Sequence, residues 1–203
     1  MVGYLEKLIR GESLDELEAS TAMEMMLRGE ATPSQIGGFL TSLRAKGETI
    51  PEITGMARTA LDMSTRVEIA GEVLDVVGTG GDGLATFNIS TLAAIVSAAC
   101  GARVAKHGNR AQSSVSGSAD VLEALGVRID LGPEAVARCV NEVGIGFMFA
   151  TRYHPAFRHA GPTRRELGIR TVFNILGPIC NPARASMRAI GVADGDLVEP
   201  VIQ

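Results

Sequence analysis

Apolar residues recur at helical spacing through the first third of the chain. Ile36, Phe39, Leu40 and Leu43 fall at i, i+3, i+4 and i+7, the stripe of a helix with one buried face. Punctuation bounds this helix: Thr32 and Gln35 form a capping pair, Pro33 takes the first helical position, and Gly47 follows the last turn. The S-x-x-E arrangement of Ser13 and Glu16 opens a second helix in "LEASTAMEMMLRG", which closes at Gly29. A further helix is expected from Pro51 to Met63. Helices this short bury little alone, so residues 3–65 need cover from another domain or a second subunit.

At Gly71 the period changes. "VLDVV" reads as a short buried strand, followed by a glycine loop and an apolar helix over Ile89–Cys100. Then come the strand "ARVAKHG", a helix at Ala119–Leu125, the strand "VRIDL", a helix at Pro133–Val143, and strands at Gly146–Ala150 and Met187–Val192. Strands alternating with helices predict an α/β fold with a mainly parallel sheet. The expected organisation is a small helical domain over residues 1–67 and a larger α/β domain over 68–203. In such sheets ligands bind at the carboxyl ends of the strands, where both glycine-containing loops fall.

Composition narrows the partners. A net charge of −4 over 203 residues opposes general binding to nucleic acid or to an anionic membrane, which needs a basic surface. The longest apolar run, Leu92–Ala105, is broken by Ser97, Gly101 and Arg103 and is too short to cross a bilayer. Cys100, Cys139 and Cys180 make no C-x-x-C pair, so they read as buried thiols rather than a disulfide framework or a zinc site. With no signal peptide visible in the first twenty residues, a cytoplasmic location is expected.

The candidate chemistry lies in two loops. In "DVVGTGGDGLATFNIST", Gly78, Gly80 and Gly83 fit G-x-G-x-x-G, but a dinucleotide site requires an acidic residue at the end of the second strand. Lys106 and His107 stand there instead, a cation suited to phosphate rather than to a ribose hydroxyl. A P-loop fails as well, because Leu84 and Ala85 occupy the positions of its Lys and Ser/Thr. The second loop, "KHGNRAQSSVSGSADVLEALG", gathers a Lys, a His, an Arg and several serines before a helix. Two loops ending at helix N-termini, with a lysine between them, make a receptor for more than one phosphate group.

"GTGGDG", "TFNIST", "KHGNRAQSSVSGSADVLEALG", "FMFATRYHPA" and "RRELGIRTVFNILGPICNPA" together resemble the anthranilate phosphoribosyltransferase family of tryptophan biosynthesis. The resemblance implies a nucleoside phosphorylase/phosphoribosyltransferase-like fold and a glycosyltransferase. Such an enzyme moves phosphoribose from phosphoribosyl pyrophosphate (PRPP) to the amino group of anthranilate and releases pyrophosphate. It assigns PRPP to Gly78, Gly81, Asp82, Thr86, Asn88, Ile89, Ser90 and Thr91, with Ser90 also a ligand of Mg²⁺. It adds Lys106, His107, Gly108, Asn109, Arg110, Ala111, Gln112, Ser113, Ser114 and Ser118 to the same substrate. Anthranilate falls to Gly78, Asn109 and Arg164, with His107, Tyr153, His154 and Pro178 lining its channel. It further implies a homodimer formed through the front helices. No residue is implied as general acid or base, since an aromatic amine is already neutral at pH 7.

Blander readings stand beside these assignments. Arg164 and Arg165 also fit a solvated helix face, His154 before Pro155 a structural role, and Asp82 a turn cap. The family's chains are longer, and a later segment with an adjacent Asp-Glu pair that holds its magnesium has no counterpart here. The expectation is therefore a fragment incomplete at its C-terminal end, with an open sheet edge and weak or no activity of its own. Two other readings compete: a pyrimidine nucleoside phosphorylase-like enzyme, and a non-catalytic relative.

Overall fold

The computed structural model describes residues 1–80, 87–111 and 116–202. In chain order its elements are α1 (Val2–Ile9), α2 (Glu16–Leu27), α3 (Pro33–Lys46), α4 (Ile50–Asp62), β1 (Leu74–Gly78), α5 (Ile89–Ala99), β2 (Val104–Gly108), α6 (Ser118–Ala124) and α7 (Pro133–Val143). There follow β3 (Ile145–Phe149), α8 (Ala150–Tyr153), a 3₁₀ turn at Pro155–His159, α9 (Gly161–Leu167), α10 (Phe173–Ile179), β4 (Met187–Gly191) and α11 (Val198–Ile202). Two compact units contain them. The helical unit gathers Met1–Ser64, His154–Cys180 and the chain from Asp196 on, and the α/β unit holds Thr65–Tyr153 and Asn181–Gly195. The helical unit thus also takes in chain that lies beyond residue 67. Apolar helix faces are covered by whatever lies near in space, and the short helices after His154 carry Phe173, Ile175 and Leu176 into the helical unit's interior.

Within the helical unit, α3 begins at the Thr32–Gln35 box, with hydrogen bonds of 3.3 and 3.0 Å. Its stripe Ile36, Phe39, Leu40 and Leu43 is buried. The cap of α2 corrects the sequence expectation, because Asp15 and Glu18 form the box rather than Ser13 and Glu16. The Asp15 carboxylate accepts the Glu18 N–H at 2.8 Å and Glu18 accepts the Asp15 N–H at 3.1 Å. Starting there puts Leu14 just outside the helix and inside the core, as a hydrophobic staple requires. Helices α2 and α4 then cross closely at Gly55, where an added Cβ would stand 2.2 Å from the Glu16 carbonyl oxygen.

The α/β unit is built on a four-stranded parallel sheet of order β3-β2-β1-β4. One face packs Val73, Ala105 and Met148 against Val136 and Val140 of α7. On the other, Val76 and Val104 meet Ala94 of α5, and Phe147 meets Ala119 and Leu122 of α6. Burial on both faces explains why these strands read as continuous apolar runs. "VRIDL" is not a strand. It is a connector in which Ile129 is buried against α6 and Phe147 while Val127 is exposed, so the central apolar residue of the pattern is buried without a ladder. Strand β4 pairs with β1 alone among the described residues, and Ile89, Leu92, Ile95 and Val96 of α5 are exposed. The thiols also differ from expectation, for Cys180 is buried while Cys100, at the solvent-facing end of α5, is exposed. No described helix is long and apolar enough to cross a membrane.

Candidate functional site

The carboxyl ends of β1 and β2 bring most of the candidate residues of the α/β unit together. β1 closes at Gly78, where an added Cβ would meet the Gly191 carbonyl oxygen at 3.3 Å and the Ser90 hydroxyl at 3.6 Å. Ser90, in the first turn of α5, thus lies over the end of the strand at ordinary contact distance. Thr79 continues the edge, donating its N–H to Gly191 O at 2.9 Å and accepting the Ala193 N–H on its hydroxyl at 3.1 Å. Gly81, Asp82 and Thr86 lie outside the described residues, as do Gln112, Ser113 and Ser114.

Asn88 occupies the N-cap of α5 without a side-chain capping bond. Its amide instead donates to the Ser116 hydroxyl at 3.3 Å, tying the first loop to the second. Ile89 follows, largely exposed. Thr91 is buried, and its hydroxyl has no partner among the described residues. The positive end of an eleven-residue helix therefore carries Ser90 and Thr91, while the Ile89 N–H donates to Phe87 O at 2.7 Å and the Thr91 N–H to Asn88 O at 3.0 Å.

Lys106 is 2% exposed, and its ammonium donates to Val76 O at 2.6 Å. Burial pushes its pKa down to about 8, against the opposing pull of Asp75. His107 is buried beside it, and its N–H donates to Asp75 Oδ1 at 3.1 Å. Sequence reasoning missed Asp75. Burial pushes its carboxyl up, opposed by the Asn181 side chain, the His107 N–H, Lys106 and Arg188. Asn181 also donates to Ala105 O at 2.9 Å, so a carboxylate and an amide brace β2 from below. The available signal was an acid inside an otherwise apolar parallel strand, "VLDVV".

At Gly108 an added Cβ would meet Phe147 at 2.9 Å and the Ser118 hydroxyl at 3.1 Å. Asn109 uses its carbonyl groups on the loop itself: the side-chain oxygen accepts the Arg110 N–H at 2.8 Å, and the backbone oxygen accepts the Ala119 N–H at 3.2 Å. The Arg110 guanidinium is engaged by Asp120 at 3.1 Å and by Glu123 at 2.7 and 3.1 Å, and lies 5.6 Å from the Phe149 ring centre. Those two carboxylates, also missed from sequence, hold Arg110 well above the ordinary guanidinium range, with Glu123 the larger influence. Ala111 donates its N–H to Asp120 at 3.0 Å.

Among the remaining candidates, Tyr153 is a core residue of the α/β unit, its hydroxyl donating to Leu131 O at 2.9 Å. Burial raises its pKa to about 12. In the helical unit, His154 is buried, with Nε2 2.9 Å from Cys180 O and its ring stacked on Phe157 at 4.8 Å. Burial pushes its imidazolium down. Pro178 is buried inside α10. Arg164 and Arg165 separate: Arg165 is exposed, whereas the Arg164 guanidinium lies 4.5 Å from the Phe173 ring centre. Burial pushes Arg164 down to about 10, and no carboxylate pairs with it among the described residues. A desolvated guanidinium on an aromatic face is suited to a planar carboxylate from a ligand.

Comparison with known proteins matches residues 2–64 to the helical bundle domain of the glycosyl transferase family and residues 70–203 to that family's a/b domain. The chain is 59% identical to the anthranilate phosphoribosyltransferase of Thermomicrobium roseum, covering 99% of this chain and 59% of that protein. It is 58% identical to anthranilate phosphoribosyltransferase 2 of Streptomyces coelicolor, covering 94% of this chain and 57% of that one. Among solved structures, anthranilate phosphoribosyltransferase from Thermus thermophilus superposes with a TM-score of 0.92 at 48% identity, over 98% of this chain and 60% of that one. The Saccharomyces cerevisiae protein in complex with PRPP and Mg superposes with a TM-score of 0.90 at 30% identity, over the same shares of the two chains. The chain thus spans less than two thirds of these relatives' lengths.

Proposed function

The chain belongs to the glycosyl transferase family, and from that premise we propose that it carries the PRPP-binding part of an anthranilate phosphoribosyltransferase. The observation that carries this reading is the mouth of α5. There Ser90 overlies Gly78, Asn88 reaches across to Ser116, and the buried Lys106 ends the neighbouring strand. The likeness to a yeast enzyme bound to PRPP and Mg supports the same substrate.

In the proposed reaction the bond from the ribose anomeric carbon to pyrophosphate breaks, and a bond to the anthranilate nitrogen forms. Pyrophosphate leaves with the electron pair, and the amine gives its proton to water. Charge accumulates on the departing group, so the catalytic task is to stabilise it where it develops. The positive end of the α5 dipole, the hydroxyls of Ser90 and Thr91, and Lys106 are suited to that. Asn109, Ser118 and the glycines at 78 and 108 would shape the path of the sugar phosphate. Arg164 would take the anthranilate carboxylate with two parallel hydrogen bonds. Gly81, Asp82, Thr86, Gln112, Ser113 and Ser114 remain proposed contacts by family resemblance alone.

Mg²⁺ takes several oxygen ligands and keeps waters, and it commonly arrives with substrate phosphates. No group of three or more His, Cys, Asp or Glu residues able to hold a metal occurs among the described residues. Ser90 fits as one oxygen ligand to a metal carried by pyrophosphate, where the ion neutralises leaving-group charge. A cytoplasmic homodimer is part of the same proposal. The exposed Val2, Ile9 and Leu17 of the front helices are the kind of surface a partner would cover.

The test is formation of N-(5′-phosphoribosyl)anthranilate by this chain, with calorimetric titration of PRPP in the presence of Mg²⁺. Binding of PRPP, and not of a pyrimidine nucleoside, supports the assignment; the reverse preference overturns it. Arg164→Lys is expected to weaken anthranilate recognition by about tenfold to a hundredfold, read as KM where turnover is measurable and otherwise as Kd, with PRPP affinity unchanged. An unchanged anthranilate constant would make Arg164 a packing partner of Phe173 only.

A further inference from the structure

The second loop leaves β2 and enters α6 through a base that one carboxylate closes. Asp120 Oδ2 accepts the Ala111 N–H at 3.0 Å and the Gly117 N–H at 2.8 Å, one from each side of the loop. Its other oxygen accepts from the Arg110 guanidinium at 3.1 Å. The two sides are in close contact at this point. An added Cβ on Gly117 would stand 2.4 Å from the Ala111 nitrogen, 2.4 Å from the Arg110 carbonyl carbon and 2.6 Å from Asn109 O, so no other residue fits without moving the loop. Two further bonds complete the base, from Ala119 N to Asn109 O at 3.2 Å and from Asn88 Nδ2 to Ser116 Oγ at 3.3 Å. The first of these holds the start of α6 to the end of β2, and the second reaches the mouth of α5.

We infer that Asp120 is a positioning residue for the phosphate-binding loops: it clamps Ala111 to Gly117, so that Asn109, Ser116 and Ser118 keep the spacing a sugar pyrophosphate requires. The inference rests on the PRPP reading above. Asp120 itself touches no substrate. An anion would gain nothing from a carboxylate in its first contacts, and both Asp120 oxygens are turned toward the loop's own donors. Arg110 is the third leg of the clamp: Glu123 grips it from the next turn of α6, so its charge is directed to the helix.

Separation of clamp from global stability comes from two variants. Asp120→Ala removes both backbone acceptors. Asp120→Asn can keep one oxygen on the Ala111 and Gly117 N–H groups while losing the charge that holds Arg110. In the ligand-free chain, hydrogen exchange should show Ala111 and Gly117 losing protection in Asp120→Ala, with the amides of β2 and β3 unchanged. That result supports the clamp whether or not PRPP binds. Calorimetry with Mg²⁺ and PRPP should then show affinity weakened by about tenfold or more in Asp120→Ala and largely restored in Asp120→Asn. Unaltered exchange at Ala111 and Gly117 overturns the clamp. Altered exchange with unchanged PRPP affinity overturns its positioning role. A wild-type chain that binds no PRPP, with exchange altered as expected, keeps the clamp and overturns the substrate reading on which its role depends.

Discussion

Glu52→Ala is expected to lower the unfolding free energy by about 3–5 kcal/mol. Glu52 is fully buried on α4, and its two oxygens organise three separate elements. Oε1 accepts the Leu14 N–H at 2.9 Å, holding the chain just before α2. Oε2 accepts the Thr49 N–H at 2.8 Å, the Thr49 hydroxyl at 2.8 Å and the Lys46 ammonium at 2.9 Å, which joins the end of α3 to the start of α4. Truncation leaves the nearly buried Lys46 charge with only Gly47 O and the Ser13 hydroxyl, and leaves two backbone donors unmet. A buried pair broken from one side costs far more than the pair contributes as a whole. The double variant Glu52→Met with Lys46→Met should therefore lose less than the sum of its single variants. Urea unfolding followed by circular dichroism measures wild type, Glu52→Ala, the two single Met variants and the double variant. A midpoint for Glu52→Ala within experimental error of wild type would show that the carboxylate is not organising these caps.

That residue also shows where sequence reading stops. The helices of residues 3–65 were legible because apolar period and capping residues agree, as in Thr32–Gln35 with Ile36, Phe39, Leu40 and Leu43. The start of α2 was misread by two residues, since S-x-x-E and D-x-x-E overlap at positions 13–18. Only the tertiary demand to bury Leu14, and to pair its N–H with Glu52, chooses between them. "VRIDL" failed for a related reason: alternation reports that one side is buried, not that a neighbouring strand supplies hydrogen bonds. The candidate site divides in the same way. Lys106 and the α5 mouth were legible because they stand at fixed offsets from strand ends. Asp75, Asp120 and Glu123 were not, because a carboxylate carries the wrong sign for the phosphate ligand proposed for these loops. Arg110 was assigned to substrate by the family resemblance, and its contacts among the described residues run to α6 and the Phe149 ring.

PRPP affinity is expected to fall by about tenfold or more between pH 7.5 and pH 9.5, and Lys106→Met should abolish most of that dependence. The free-state ammonium has a pKa of about 8 because burial disfavours its charge, so it is mostly protonated at the lower pH and mostly neutral at the higher. A phosphate oxygen beside the amine favours the cation and raises its pKa in the complex. Binding above pH 8 must then take up a proton, and the affinity that Lys106 supplies is lost as pH rises through its free-state value. Ligand-free stability has the opposite sign. The folded pKa lies below the unfolded value of 10.5, so between about pH 8 and 10.5 the unfolded chain binds more protons, and the Lys106 contribution to stability improves with rising pH. Calorimetry in buffers of different ionisation enthalpy reads the proton uptake directly, and Lys106→Met should show none. At pH 7.5 that variant should bind PRPP about a hundredfold more weakly, the order expected when one member of a desolvated charge pair is removed. Its ligand-free stability should hold or rise, because a buried charge has gone. A variant that retains both the affinity and its pH dependence would assign the Lys106 ammonium wholly to Val76 O, as a strut between β1 and β2 rather than a contact for the departing pyrophosphate.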